Sequence, residues 1–272
     1  MTETAIPLAN SLTPLSALLQ QAAPAGATPE LAAYHGALTL NRLDAVERET
    51  AALAFGAAVH DLGWLRRIAV RGEDRFRWLS GMVTNMVNDL APNAGAWNLV
   101  LNAQGRILGD LHVWRDGEEL SLVLTADQYE KLLAHLERFI IMDDVELLPA
   151  NGTALGLAGP LAAALLDRIG LPALPELMSG IHAEWKGQPV RIQRAYGALV
   201  PHFEIWLPGD QIPALWKSLV EAGAHPVGAA ALEAFRIAEG IPAYGIDISE
   251  RDLPQETSQL RTLNFSKGCY LG

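Results

Sequence analysis

Cysteine is almost absent: the 272 residues hold one, Cys269. One thiol excludes an internal disulfide, a Cys-x-x-Cys redox pair and a cysteine-rich metal cage within a single chain. Basic residues are also scarce. Lys and Arg total 20 against 31 Asp and Glu, a net charge of −11, and a free imidazole titrates too low to offset it at pH 7. Such a surface repels phosphate backbones, which disfavours direct nucleic-acid binding. No apolar run is long enough for a membrane-spanning helix. The start, Met1-Thr2-Glu3, has no basic segment of a signal peptide. The expectation is a soluble protein of a reducing compartment, by default the cytoplasm, with no membrane partner.

Several motifs are missing as well. Gly-x-Gly-x-x-Gly, the phosphate loop Gly-x-x-x-x-Gly-Lys-Ser/Thr and the Gly-x-Ser-x-Gly elbow do not occur, which removes the main support for nicotinamide, ATP and serine-hydrolase chemistry. The seven His are dispersed, without HExxH or His-x-His. They read as structural or surface groups, and no metal site is expected.

What is present is a globular chain, half apolar, long enough for about two domains. Residues 1–30, rich in Ala and Pro, read as an N-terminal extension whose Leu12, Leu15, Leu18 and Leu19 could form a short helix. A first α+β unit spans 31–148. It has strands over Trp64–Val70, Trp97–Leu101 and Arg106–Trp114, the last two joined by the hairpin loop Asn102-Ala103-Gln104-Gly105. Thr125 and Gln128 suggest a capping box before a helix with the apolar stripe Tyr129, Leu132, Leu136. A second unit spans 149–250, with a strand at Phe203–Leu207 and a helix over Ala229–Glu239 stopped by Gly240 and Pro242. Both units pass from a strand through Asp-Gln, at 127–128 and 210–211, into an amphipathic helix. That echo points to two related sheet-and-helix units.

Five residues stand out chemically. Asp110, in a strand with apolar neighbours, reads either as a structural ion pair with Arg106 or as a ligand-facing carboxylate. Glu204, similarly placed in His202-Phe203-Glu204-Ile205-Trp206, could accept two hydrogen bonds from a planar N–H and amine edge such as a pterin or guanine presents. Arg236 either pairs with Glu239 across a helix surface or is held by it in a cleft, where its fork suits a carboxylate. Cys269 and Lys267 close the chain in Ser266-Lys267-Gly268-Cys269-Tyr270-Leu271-Gly272. The thiol reads as a buried inert group or as a nucleophile favoured by the nearby ammonium.

The segment Lys267–Gly272 closely resembles the signature of the YgfZ family of folate-binding proteins. Arg236-Ile237-Ala238-Glu239-Gly240-Ile241-Pro242 with Tyr244-Gly245-Ile246-Asp247, Gly105-Arg106 through Gly109-Asp110, and Phe203-Glu204-Ile205 resemble segments of the wider superfamily. It includes the glycine cleavage T-protein, an aminomethyltransferase, and iron–sulfur assembly relatives. The resemblance runs from about Leu62 to Gly272. It implies an α+β T-protein-like fold, two mixed units around a central opening, and a C-terminal β-barrel beginning at 251–272 and incomplete in this chain. It implies tetrahydrofolate, or a one-carbon-substituted folate, as cofactor, held by Glu204, Arg236 and Asp110, with Cys269 and Lys267 as the catalytic pair. The role implied is support of iron–sulfur enzymes, including tRNA-modifying ones, with those enzymes or assembly proteins as partners. The T-protein carries paired acids where this chain has Gly109-Asp110. If Asp110 matches the non-catalytic acid of that pair, aminomethyl transfer is weakened as the alternative function. A non-catalytic scaffold is the other alternative.

Overall fold

The computed structural model describes residues 11–22 and 30–272. The rest of the 1–30 extension lies outside the described residues. In chain order the elements are α1 (Pro14–Ala22), β1 (Glu30–Tyr34), β2 (Ala37–Arg42), α2 (Val46–Phe55), β3 (Ala58–Asp61), β4 (Leu65–Arg71), α3 (Arg75–Met82), β5 (Gly95–Leu101), β6 (Ile107–Asp116), β7 (Glu119–Thr125), α4 (Ala126–Glu137) and β8 (Glu146–Ala150). They continue with β9 (Thr153–Ala158), α5 (Ala162–Arg168), β10 (Ser179–Trp185), β11 (Gln188–Ala195), β12 (His202–Leu207), α6 (Ile212–Glu221), β13 (His225–Pro226) and α7 (Ala229–Glu239).

These elements form two compact units, each discontinuous in sequence. The first joins the chain up to Leu65 with Asn151–Ile241; the second joins Arg66–Ala150 with Pro242–Gly272. The first unit holds a mixed six-stranded sheet, order β10-β11-β12-β9-β3-β13, and the β1-β2 hairpin. Strand alternation explains its layering. Phe203, Ile205 and Leu207 of β12 join Leu155 and Leu157 of β9 and Val190 and Ile192 of β11 in a core with Leu165, Leu166, Leu215 and Leu219 from α5 and α6. Leu15 of α1 enters that core, and Thr13 and Thr39 hydroxyls donate to the buried Asp61 carboxylate. Of the leucines of the extension, Leu15 is buried and Leu19 packs against the same core, whereas Leu12 is exposed. α7 stops where Gly240 takes a left-handed conformation, φ 65°.

The second unit holds a five-stranded sheet, order β5-β6-β7-β4-β8. One face packs on α3 and α4 through Trp78, Leu79, Leu111, Val113, Leu132 and Leu136. On the other face Leu99, Leu101 and Ile107 meet Tyr244, Leu263 and Tyr270 of the C-terminal segment. The strand–Asp-Gln–helix echo falls once in each unit, at β7–α4 and at β12–α6.

Two expectations need correction. No sheet closes into a barrel among the described residues. Each of the larger sheets ends on two edge strands, and beyond Arg251 the chain makes short 3-10 turns at Pro254–Thr257 and Leu260–Thr262. Its apolar residues cover an existing sheet and add no strand to it. The capping box at α4 is also absent. Thr125 makes no side-chain bond to the helix backbone; its hydroxyl donates to Asp127 and accepts from Gln128 Nε2, which also bonds Asp110.

Candidate functional site

The side of the six-stranded sheet opposite α5 and α6 is polar. Register places Gln193 opposite Glu204, Glu204 opposite Gly156, and Gly156 opposite His60. Gly180 continues the row beyond Gln193. The row therefore reads Gly180, Gln193, Glu204, Gly156, His60 across five strands. Trp206, two residues along β12, donates from Nε1 to Glu204 Oε2 at 2.9 Å, which fixes the plane of the half-buried carboxylate. Gln193 is fully buried, and neither its Oε1 nor its Nε2 has a hydrogen-bond partner. A buried amide left in that state costs stability unless something completes it.

Gly156 has a direct physical reason. A Cβ there would stand 2.0 Å from His60 Cε1 and 2.2 Å from Nε2, so the imidazole occupies the space above it. His60 also lines a pocket of about 150 Å³ with Tyr34, Trp64, His202, Phe235 and Arg236. Its ring lies nearly parallel to Trp64, at 11° with centroids 6.4 Å apart, and Tyr34 stands edge-on to Trp64 at 89°. Burial, aided by the proximity of His202, pushes the His60 pKa down to about 4, so this imidazole is neutral at pH 7.

Arg236 lines the pocket, but its partners differ from those expected. It pairs with Glu233 at 2.5 Å and donates to the Ile241 carbonyl at 2.5 Å. Glu239 faces His202 Nε2 at 3.3 Å and accepts the Leu199 N–H at 3.0 Å. Burial alone would raise the Glu239 pKa; the nearby His202 ring and the backbone N–H groups at Leu199 and Val200 outweigh that and lower it.

Asp110 lies in the second unit, on β6. Trp97 Nε1 donates to its Oδ2 at 2.9 Å and Gln128 Nε2 to its Oδ1 at 3.0 Å, while the Asp110 N–H donates back to Gln128 Oε1 at 2.9 Å. Arg106 does not serve it; the β5–β6 register shifts between Val100 and Leu101, opposite Gly109 and Ile107, and the guanidinium bonds the Arg251 carbonyl. Asp110 shares its strand face with His112, which stacks on Trp97. The neighbouring Gly109 faces α4, where a Cβ would stand 2.4 Å from Gln128 Oε1 and 2.9 Å from Leu132 Cδ1. An acid at 109 would have to displace both side chains.

Lys267 and Cys269 are also in the second unit. The Lys267 ammonium donates to the carbonyls of Ser80 at 2.7 Å, Val83 at 2.5 Å and Asn85 at 2.7 Å, at and just beyond the C-terminus of α3. Leu271 N–H bonds the Gly81 carbonyl at 2.9 Å. The segment is thus pinned on both sides of Cys269, whose thiol is exposed.

Glu204 and Arg236 accordingly belong to one unit, and Asp110, Lys267 and Cys269 to the other. Reading the sequence missed His60, Gln193, Trp64 and Gln128. The one available signal was Gly156 inside an apolar strand, which marks a close approach.

The family described as the GCVT N-terminal domain matches residues 27–267. The chain belongs to this family. Relatives of this GCVT N-terminal domain protein include the aminomethyltransferase of Thermus thermophilus, 28% identical over 81% of this chain and 65% of the relative. A putative chloroplastic transferase of Arabidopsis thaliana is 25% identical over 80% of this chain and 51% of the relative. The glycine cleavage system aminomethyltransferase T from Bartonella henselae superposes with a TM-score of 0.80 at 26% identity, covering 90% of this chain and 66% of that one. The chain spans less than two thirds of the length of these relatives. Among the described residues no helix is long and apolar enough to cross a membrane, and no group of three or more His, Cys, Asp and Glu could hold a metal ion.

Proposed function

We propose that this chain binds tetrahydrofolate through the polar face of its six-stranded sheet and handles one-carbon units on it as an aminomethyltransferase-like protein. The observation that carries this reading is Glu204, its carboxylate oriented by Trp206 next to the orphaned amide of Gln193. A fixed carboxylate accepts paired N–H donors, as on a pterin's amino–amide edge, and a buried amide offers a further donor and acceptor. The bound folate supplies the nitrogen that carries the one-carbon unit. Asp110 supports the transferase character. Of the paired-acid positions this chain keeps one carboxylate, Asp110, held by Trp97 and Gln128 on the strand face away from α4, while Gly109 lies under the Gln128 and Leu132 side chains of α4.

The test is calorimetric titration of tetrahydrofolate into the full chain, before and after Glu204→Gln. The variant should weaken binding at least about tenfold, the scale of a charge-assisted hydrogen bond. Unchanged affinity would remove Glu204 from the site. Turnover of an aminomethyl-lipoyl carrier protein would establish the transfer itself.

A second reading, support of iron–sulfur enzymes within a YgfZ-like family, rests on Lys267–Gly272. In favour of it, the pinned segment displays an exposed thiol. Complementation separates the readings: Cys269→Ser should abolish iron–sulfur support in cells under this second one, and leave carrier turnover intact under the first.

A further inference from the structure

His60 belongs to no motif read from the sequence, and the folate reading does not use it. Its geometry is nonetheless restrictive. Nδ1 lies 3.2 Å from the Asp61 carbonyl oxygen. A carbonyl only accepts, so Nδ1 carries the ring proton, and in the neutral ring Nε2 is left as a bare acceptor. That Nε2 sits over Gly156, between the columns of His60 and Glu204, in a residue that also lines the pocket. Trp64 flanks the ring and Gly156 lies beneath its edge, so the imidazole is held in place.

We propose that His60 selects the reduced form of the ligand's ring by accepting a hydrogen bond at Nε2. This rests on the folate reading and adds a determinant to it. A tetrahydropterin carries N–H groups on its reduced ring, at N8 and, when unsubstituted, at N5. The fully oxidised ring has lone pairs at both positions. Two groups of one row that only accept, the Glu204 carboxylate and His60 Nε2 on either side of the Gly156 position, match the donor-rich reduced ring. Against the oxidised ring, Nε2 faces another lone pair and loses its partner. A site built around such a bond discriminates more sharply than one built on apolar contact. The neutrality that this needs is consistent with the depressed His60 pKa.

The experiment compares tetrahydrofolate and folic acid by anaerobic calorimetry on the full chain, as wild type, His60→Phe and His60→Gln. Wild type should prefer tetrahydrofolate, and His60→Phe should weaken tetrahydrofolate about tenfold while moving folic acid by no more than about twofold, the loss of one hydrogen bond. His60→Gln, which returns an acceptor oxygen, should recover most of the tetrahydrofolate affinity, but its amide can also donate to the oxidised ring, so folic acid should gain and the preference should narrow. Unfolding midpoints establish that each variant is folded. His60→Met, flexible enough to follow the space over Gly156, gives the same readout if the phenylalanine does not fold. Equal losses for both ligands, or no loss for either, would overturn the assignment of His60 and leave the folate reading standing. Failure of wild type to bind either ligand would overturn both.

Discussion

Lys267 shows how a residue's surroundings redirect its chemistry. Beside a cysteine in a short glycine-flanked motif it reads as a thiol activator. In the fold its ammonium faces three carbonyls near the end of α3, groups that no helical N–H can satisfy. Burial lowers its pKa to about 8, so it remains a cation at pH 7, and cations are favoured at a helix C-terminus. Its effect on Cys269 is therefore positional: it anchors the backbone from which the thiol projects. Replacing it by an uncharged chain of similar length leaves buried carbonyls unpaired. Lys267→Met should therefore lower stability by roughly 1–3 kcal/mol, read from urea midpoints, and should make the segment after Phe265 more open to proteolysis. A variant with wild-type midpoint and protection would show that the anchor is dispensable.

At the scale of elements, alternation and turn chemistry were legible where they are local. Trp97–Leu101, the Asn102–Gly105 loop and the strand after it declare themselves within a few residues, as do β12 and the glycine stop of α7. What was illegible depends on contacts between distant segments. Gln128 has the right spacing for a capping box, but Asp110 lies across from it and offers a backbone donor and a carboxylate acceptor together. The amide oxygen takes the Asp110 N–H, and the amide nitrogen bridges the Asp110 carboxylate and the Thr125 hydroxyl. Likewise, no spacing rule connects His60 with Gly156; their meeting follows from β3 pairing with β9. The same β6–α4 contact makes a prediction about the paired acids of the T-protein. Gly109→Asp would push a Cβ into Gln128 and Leu132 and bury a charge beneath a helix. Overpacking of this kind costs roughly 1–3 kcal/mol, and more when charge is buried. Thermal unfolding should show a clear fall in Tm. An unchanged Tm would mean that α4 can move aside to admit a second acid, which would reopen position 109 as a functional site.

On the scale of the whole molecule, function separates by unit. One unit carries the row from Gln193 to His60; the other carries Asp110 and the pinned cysteine segment. The discontinuous division was hidden from sequence because chain order suggests successive blocks, whereas sheet pairing joins β3 to β9 and β4 to β8 across long insertions. The division also gives ligand binding a spatial signature. A ligand held only by the folded chain stabilises it by mass action, about 2.7 kcal/mol at a hundred times its Kd, and amide exchange slows most where the ligand's contacts must break for the backbone to open. With tetrahydrofolate present, β3, β9, β11 and β12 should gain the largest protection, since Glu204, Gln193 and His60 lie on them and pair through Gly156. The loss of Glu204 in Glu204→Gln should reduce that gain. Protection concentrated instead in β5–β7, around Trp97 and Asp110, would place ligand recognition on the other sheet and make the acid of β6, rather than the carboxylate of β12, the group that reads the pterin.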